Sequence, residues 1–533
     1  MFDYREYIPK SLICLREGYS RQNFLNDLFA GLTVGIITIP LAMAFAIASG
    51  VTPERGLYTS IIAGFLISLL GGSRVQIGGP TGAFVVIIYS VVQRHGYDGL
   101  AIATLIAGLI LIVMGLARFG VILKFIPYPV ITGFTTGIAV SIFSSQMKDF
   151  LGLDIESVPV DFISKWQLFA SEIGTYNPWA LGIASLTLGI IIILRKMYPR
   201  IPGAIIGVII ATAFVTLFEL PMETIGSRFG DLPRTLPMPS IPFLSLEKIQ
   251  AVFPDAITIA LLGGIESLLS AVVADGMTGF RHRSNCELVG QGIANIGSIL
   301  FGGIPATGAI ARTTANVRMN AKTPISGIIH AITVLLMMLF FAPYVGLVPM
   351  AGLAAILVYV AWNMSELDHF LDILRGQKSD ITVLVITFLT TVLIDLTVAV
   401  QVGVILSALL FLRRMSVSTT GKVCVVKPQE NSQEVLTVAV DSSVTVFEID
   451  GPFFFAVADI LDHALCQLEP GTRVFILKMH RVPLIDATGI HALRKFHRKC
   501  HERGVVVYVS GLKEELRPTF KRSGIEELAT SAV

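Results

Sequence analysis

Charge is scarce in this sequence. Of 533 residues only 15% are Asp, Glu, Lys or Arg, and 53% are hydrophobic; a soluble globular chain carries about 25% charged residues. The deficit is uneven. Between Asp27 and about Met415 charges are sparse and stand mostly between apolar runs, whereas over 421–533 they are as dense as in a soluble domain. Cysteine is scarce too. The five present (Cys14, Cys286, Cys424, Cys466 and Cys500) are odd in number and form no CxxC pair, which argues against a disulfide framework or a metal site and for reduced thiols. The nine histidines form no metal-like cluster, and no Gly-rich phosphate loop or nucleophile motif is visible. No metal, cofactor or enzymatic activity is therefore expected. The net charge of +2 gives no basis for nucleic-acid binding. Residues 1–22 carry charges of both signs and lack the apolar core of a cleaved signal peptide, so the first apolar run is expected to be retained.

Long apolar runs are what the sequence does have. Stretches such as 101–116 and 325–343 approach the length needed to cross about 30 Å of hydrocarbon. Fourteen candidate spans follow in order: 27–50, 56–71, 80–93, 98–117, 128–147, 178–195, 202–219, 254–277, 285–301, 309–317, 323–342, 348–364, 380–396 and 398–413. An even number puts both termini on one side. Arg118 and Lys124, Arg195, Lys196 and Arg200, Arg281 and Arg283, Arg318 and Lys322, and Arg413 and Arg414 share that side, which the positive-inside rule makes cytoplasmic. The organisation predicted is an N-terminal cytoplasmic segment (1–26), a membrane domain (27–415), a linker (416–436) and a cytoplasmic domain (437–533).

Two elements are wrong for ordinary spans. Gly78-Gly79-Pro80-Thr81-Gly82-Ala83 and Gly302-Gly303-Ile304-Pro305-Ala306-Thr307-Gly308-Ala309 each place Gly-Gly, Pro and Thr-Gly-Ala before a short apolar run. The offset between Thr81 and Thr307 also carries Asp27 onto Phe253, beside the start of the eighth span. The reading is two seven-span repeats, 27–219 and 254–415, the second inverted because seven is odd. Singly, each cluster reads as a loop or kink. Paired in two halves, such clusters point to half-helices meeting at the midplane, where transporters bind substrate. Proline suits a helix's first turn, glycine permits close backbone approach, and facing helix N-termini favour an anion.

Charged residues inside spans carry the chemistry. Glu266 stands near the middle of the eighth span, where Asp255 and Asp275 can reach the interfaces and it cannot. An intramembrane carboxylate faces a bundle interior or wet cavity, and this one suits proton uptake and release; the alternative is a neutral Glu bonded to a neighbouring helix. Ser270 shares its face. Arg312, about one turn into the second half-helix, either adds positive charge to the anion site or snorkels to the cytoplasmic interface. Asp395 reads as a turn cap, and Gln291 and Asn295 as polar contacts between helices. In the tail, strands at 444–450, 473–479 and 505–510 alternate with helices at 456–468, 488–503 and 513–522, a small α/β binding or regulatory domain.

These residues resemble the sulfate permease (SulP) family of solute carrier 26-type anion transporters over nearly the whole chain. The stretches that carry the likeness are Ala30-Gly31-Leu32-Thr33-Val34-Gly35-Ile36, Ile39-Pro40-Leu41-Ala42-Met43-Ala44-Phe45-Ala46, Gly78-Gly79-Pro80-Thr81, Glu287-Leu288-Val289-Gly290-Gln291-Gly292 and Ala309-Ile310-Ala311-Arg312. The tail resembles a STAS domain through Val482-Pro483-Leu484-Ile485-Asp486-Ala487-Thr488-Gly489. Within the family the likeness is to bacterial C4-dicarboxylate carriers, across Gly264-Ile265-Glu266-Ser267-Leu268-Leu269 and Val360-Ala361-Trp362-Asn363-Met364-Ser365-Glu366. The resemblance implies an all-α membrane domain of inverted repeats, divided into a moving core and a gate, usually homodimeric. It places substrate against Phe45, Thr81, Gly82, Ala83, Thr307, Gly308, Ala309, Ala311 and Arg312, with Glu266 coupling a cation. Leu41 stands where many members have Gln, which removes one polar contact. Glu266 stands where sodium-coupled bicarbonate relatives tend to have Asp, which favours protons over sodium. Thr488 lies near a Ser that is phosphorylated in STAS-like regulators, and reads as a switch or as an N-cap.

The expectation is thus an elevator-type carrier of the bacterial inner membrane, embedded in the lipid bilayer, both termini cytoplasmic. It takes up succinate or fumarate with protons, and its STAS domain meets an unidentified cytoplasmic protein. The alternatives are a carrier of sulfate, bicarbonate or chloride, an anion channel, and an anion sensor signalling through the STAS domain.

Overall fold

The structure is a computed structural model. It describes residues 4–120, 127–155, 158–159, 161–198, 202–231, 233–243, 245–394, 396–418, 420–423, 443–454, 457–466, 468 and 471–524. Lys124, Arg200, Asp395, Cys424 and most of the expected linker lie outside the described residues. The chain divides into two compact units, Met1–Ile405 and Leu406–Val533.

The first unit is helical. Helix α1 (Lys10–Arg16) precedes α2 (Arg21–Ala48) and α3 (Pro53–Leu70). A two-residue strand, β1 (Gly78–Gly79), leads into α4 (Gly82–Leu116), followed by α5 (Tyr128–Leu151), α6 (Phe162–Ser171), α7 (Pro178–Met197), α8 (Gly203–Leu217) and α9 (Ile225–Phe229). Then come α10 (Leu246–Thr278), α11 (Ser284–Leu300), β2 (Thr307–Gly308), α12 (Ile310–Arg318) and α13 (Ile325–Val345). Last are α14 (Met350–Met364), α15 (Leu367–Leu374), α16 (Lys378–Leu393) and α17 (Leu396–Ser418), which runs across the boundary between units. Among the described residues seven helices are long and apolar enough to cross a membrane, by length and composition.

Several boundaries differ from the sequence reading. Helix α4 joins two expected spans, but Gly96 (φ 67, ψ −176) breaks it in a conformation that is essentially restricted to glycine. Helix α10 begins eight residues before Pro254 and runs through it. Helices α1, α6, α9 and α15 are too short to register as apolar spans. Packing falls into two groups. Helix α4 lies against α10 and α11, and α13 against α2 and α3, whereas α5 packs on α14 and α16, and α7 on α8 and α14.

The second unit holds a four-stranded sheet in the order β3-β4-β5-β6. Strands β4 (Val444–Asp450), β5 (Val474–Arg481) and β6 (Val506–Ser510) are parallel, and β3 (Thr420–Val423) pairs antiparallel with β4. Strand β3 falls inside the expected linker, because Thr-Gly-Lys-Val is too short to show alternation. Helices α18 (Val457–Cys466), α19 (Ala487–Glu502) and α20 (Arg517–Arg522) accompany the sheet. The N-cap reading of Thr488 is corrected here. Asp486 caps α19, its carboxylate accepting from the Gly489 N–H at 2.7 Å, and Thr488 is exposed in the first helical turn. The carboxylate lies three residues before the N–H it satisfies, the spacing a cap requires. Asp486→Ala is expected to weaken protection of the α19 amides in hydrogen exchange on the intact chain by about 1 kcal/mol. Thr488→Ala is expected to stay within about 0.5 kcal/mol.

Candidate anion site

Strands β1 and β2 pair antiparallel, Gly78 opposite Gly308 and Gly79 opposite Thr307. The chain therefore leaves this crossing into α4 and into α12 in opposite directions, and both helices turn their N-termini toward it. The first N–H groups of a helix have no intrahelical acceptor and carry the positive end of the helix dipole. The N-caps, Thr81 and Ala309, are extended, and neither side chain caps its helix. Those N–H groups are left for a ligand.

Neither Gly79 nor Gly308 has room for a side chain. Gly79 has φ +149, and a Cβ there would stand 2.6 Å from Arg312 Nη1. A Cβ on Gly308 would stand 1.6 Å from Gln76 Nε2.

One face of α10 holds both approaches. Thr307 Oγ1 donates to the Gly263 carbonyl at 2.8 Å, and Thr81 Oγ1 donates to Glu266 Oε2 at 3.0 Å. Gln76 Nε2 donates to Ser267 Oγ at 3.0 Å, and Ser270 Oγ to Thr313 Oγ1 at 3.0 Å. These four positions of α10 recur at helical spacing. Thr313 Oγ1 also accepts from the Ile77 N–H, so Ser270 steadies β1 through Thr313. Behind them the Glu287 carboxylate accepts from the Gly72 N–H (2.8 Å), Ser267 Oγ (2.9 Å) and Gln291 Nε2 (2.9 Å). Asn295 closes the loop before β2, donating to the Ala306 carbonyl and accepting from the Ala306 N–H, both at 2.8 Å.

Arg312 turns inward. It is 4% exposed, its Nη2 donates to the Pro80 carbonyl, and its buried Nη1 has no hydrogen-bond partner. This overturns the snorkelling alternative. Phe45 is buried, and its Cε1 would lie 3.4 Å from a Cβ on Gly82, beside Met364 Sδ at 2.7 Å and Ile142 Cδ1 at 3.3 Å. Gly82, Ala83, Thr307, Gly308 and Ala309 are buried, Thr81 and Glu266 are half-buried, and Ile310 and Ala311 are exposed. Thr488 belongs to the other unit. Sequence reasoning passed over Gln76, Glu287 and Met364 as individual site residues. The i, i+4 pairing of Glu287 with Gln291 was a usable signal; Met364 lies in an apolar run with nothing to mark it.

A profile described as Sulfate permease family matches residues 24–387, and one described as STAS domain matches residues 435–531. The chain belongs to the sulfate permease family. Among relatives of this sulfate permease is "Putative sulfate transporter YvdB" of Bacillus subtilis strain 168, 44% identical with 96% of this chain and 95% of the relative covered. "Bicarbonate transporter BicA" of Synechocystis is 33% identical, with 92% and 88% covered. The structure of the murine Slc26a9 anion transporter in the inward-facing state has the same fold, with a TM-score of 0.88 at 20% identity over 99% of this chain and 92% of that one. This sulfate permease is a multi-pass membrane protein and a secondary transporter of anions, not an enzyme.

Gly308→Ala drives a methyl group into the Gln76 amide. Overpacking of this kind is expected to destabilise the membrane unit by about 1–3 kcal/mol and to abolish anion transport. Thermal unfolding of the purified protein checks the first, uptake into liposomes the second.

Proposed function

We propose that this sulfate permease takes up small inorganic oxyanions, sulfate first, together with protons across the bacterial inner membrane. The observation that carries the reading is the β1–β2 crossing, where two uncapped helix N-termini, the unpaired Arg312 Nη1 and the Thr81–Glu266 hydrogen bond converge. Oxyanion oxygens accept from backbone N–H groups and from a guanidinium. The relatives named above carry sulfate or bicarbonate in their names, so the inorganic anion takes precedence over the succinate or fumarate expected from the C4-dicarboxylate resemblance.

Coupling follows from charge. An ionised Glu266 beside a bound anion repels it, and a protonated one does not. Proton and anion therefore favour each other's binding, and the linkage is reciprocal. The antiparallel crossing, together with the equivalent packing of α4 on α10 and of α13 on α2, supports two inverted seven-span repeats, 27–219 and 254–415. The two packing groups support an elevator in which the α2–α4 and α10–α13 core moves against α5, α7, α8, α14 and α16. In this reading the protein is a homodimer with both termini cytoplasmic. Domain 437–533 receives an unidentified cytoplasmic protein, and the exposed Thr488 is open to modification there.

Purified protein in liposomes is expected to accumulate radiolabelled sulfate under an inward proton gradient, with bicarbonate competing and succinate and fumarate without effect. Blockage by succinate or fumarate instead would restore the dicarboxylate reading. Currents without saturation or uphill accumulation would make the protein a channel, and binding without flux a sensor. Glu266→Gln is expected to lose gradient-driven accumulation while retaining anion exchange. Undiminished accumulation in that variant removes Glu266 from coupling.

A further inference from the structure

A cavity of about 560 Å³ lies apart from the β1–β2 crossing. Its walls are the end of α2, the first half of α4, the ends of α5 and α16, and the segment entering α6; Thr81, Glu266 and Arg312 are not among its lining residues. Its floor reaches Val85, three residues past the start of α4, or about 5 Å along the helix.

The charges in this wall are unevenly matched. Arg94, Lys148, Lys165 and Arg228 line it against Asp149 and Asp161. Arg94 pairs with Asp255 at 2.9 Å, and Arg228 with Asp149 at 2.9 Å and Glu223 at 3.8 Å. Asp161 is occupied as the N-cap of α6, its Oδ2 accepting from the Ser164 N–H and Oγ at 2.8 Å each. Among the described residues Lys148 Nζ donates to a neutral group alone, the Ile155 carbonyl. Lys165 is 8% exposed, and its ammonium has no hydrogen-bond or ion-pair partner among the described residues. Burial holds its ammonium below the ordinary lysine range, and the field of Asp161, one turn earlier, opposes that only in part. The Lys165 stem is buried while its Nζ opens to the cavity, where an anion would relieve the cost of a partly desolvated charge. Arg94, Arg228 and Asp149 are satisfied, so the unmet charge is positive.

We propose that this cavity is a second anion site, an outer vestibule in which Lys165 and Lys148 hold a small oxyanion before it enters the crossing between α4 and α12. The outer placement rests on the transport reading above, because the cavity lies at the helix ends opposite those flanked by Arg118, Arg195, Arg283 and Arg318. Oxygen acceptors would satisfy the Lys165 ammonium, and the short path from Val85 to Gly82 would pass the anion inward. A wall with an excess of positive charge raises the local concentration of its counter-ion, so the vestibule acts on capture rather than on turnover.

The sequence has three tryptophans, and one of them, Trp166, follows Lys165 directly and donates to Ser144 on α5 at 3.1 Å. Replacing Trp179 and Trp362 by Phe leaves Trp166 as the sole reporter in the full chain. Its fluorescence is then quenched by iodide and, as a neutral control, by acrylamide. The expected result is strong iodide quenching relieved by sulfate, a fall in iodide quenching of twofold or more (on the order of the capture effect of one charge) in Lys165→Met, and retention in Lys165→Arg. Acrylamide quenching is expected to stay the same in all three. In liposomes at low ionic strength, Lys165→Met is expected to raise the KM for external sulfate about tenfold with Vmax kept. Iodide quenching unchanged by Lys165→Met, or not relieved by sulfate in the parent, overturns the vestibule. The two readings fail separately. If no sulfate is carried but iodide quenching depends on Lys165, the transport reading falls and the second site stands. If sulfate is carried and quenching ignores Lys165, the reverse holds.

Discussion

Backbone polar groups in an apolar interior must find partners, and here the most demanding place is where Gly78–Gly79 crosses Thr307–Gly308. Non-helical backbone at membrane depth is tolerated only when buried in protein or facing a wet cavity. The residues around the crossing follow from that condition. Thr307, Thr313, Asn295 and Gln76 each bind a loop carbonyl, a loop N–H or α10, and Glu287 is satisfied by three donors. The glycines allow the strands to lie close to Arg312 and Gln76. With the loops so fixed, the leading N–H groups of α4 and α12 and the Nη1 of Arg312 stand without partners among the described residues, facing the crossing.

The same reasoning separates the half-buried Glu266 from the buried carboxylates. Asp27 accepts from the Lys322 and Thr323 N–H groups, from Thr323 Oγ1 and from Tyr19. Asp255 has Arg94, and Glu287 has its three donors. Among the described residues Glu266 has a single neutral donor, Thr81, itself the N-cap of α4. On the proposed coupling, a carboxylate so lightly held changes protonation without dismantling the fold, and an anion at α4 feels the change. The satisfied carboxylates stabilise the scaffold, and Glu266 is the one to which the proposed function assigns the proton.

Much of this was legible in the sequence, and the physical reasons differ for each part. The repeated Gly-Gly, Pro and Thr-Gly-Ala clusters marked the crossing, because only special backbone needs that composition inside apolar runs. Glu266 stood out because a charge mid-span has few innocent explanations. The direction of Arg312 was not legible: one turn into a short helix, inward and snorkelling side chains have the same spacing. Asp486 and Thr488 are both good capping residues two positions apart, and only the Gly489 N–H shows which one serves. Lys165 gave no signal, since a lysine in a mixed loop reads as solvated until its burial is seen. Helix α10 concealed its first eight residues because Pro254 reads as a start when it is an interior residue.

In the proposed function the anion is held by the N-termini of α4 and α12 beside Arg312. Selenate in place of sulfate locates it, because anomalous scattering identifies selenium in a crystal. A selenium peak is expected within hydrogen-bond reach of the Gly82–Ala83 and Ile310–Ala311 N–H groups, facing Thr81 and Glu266. Selenate bound at full occupancy elsewhere, with those N–H groups unliganded, would contradict it.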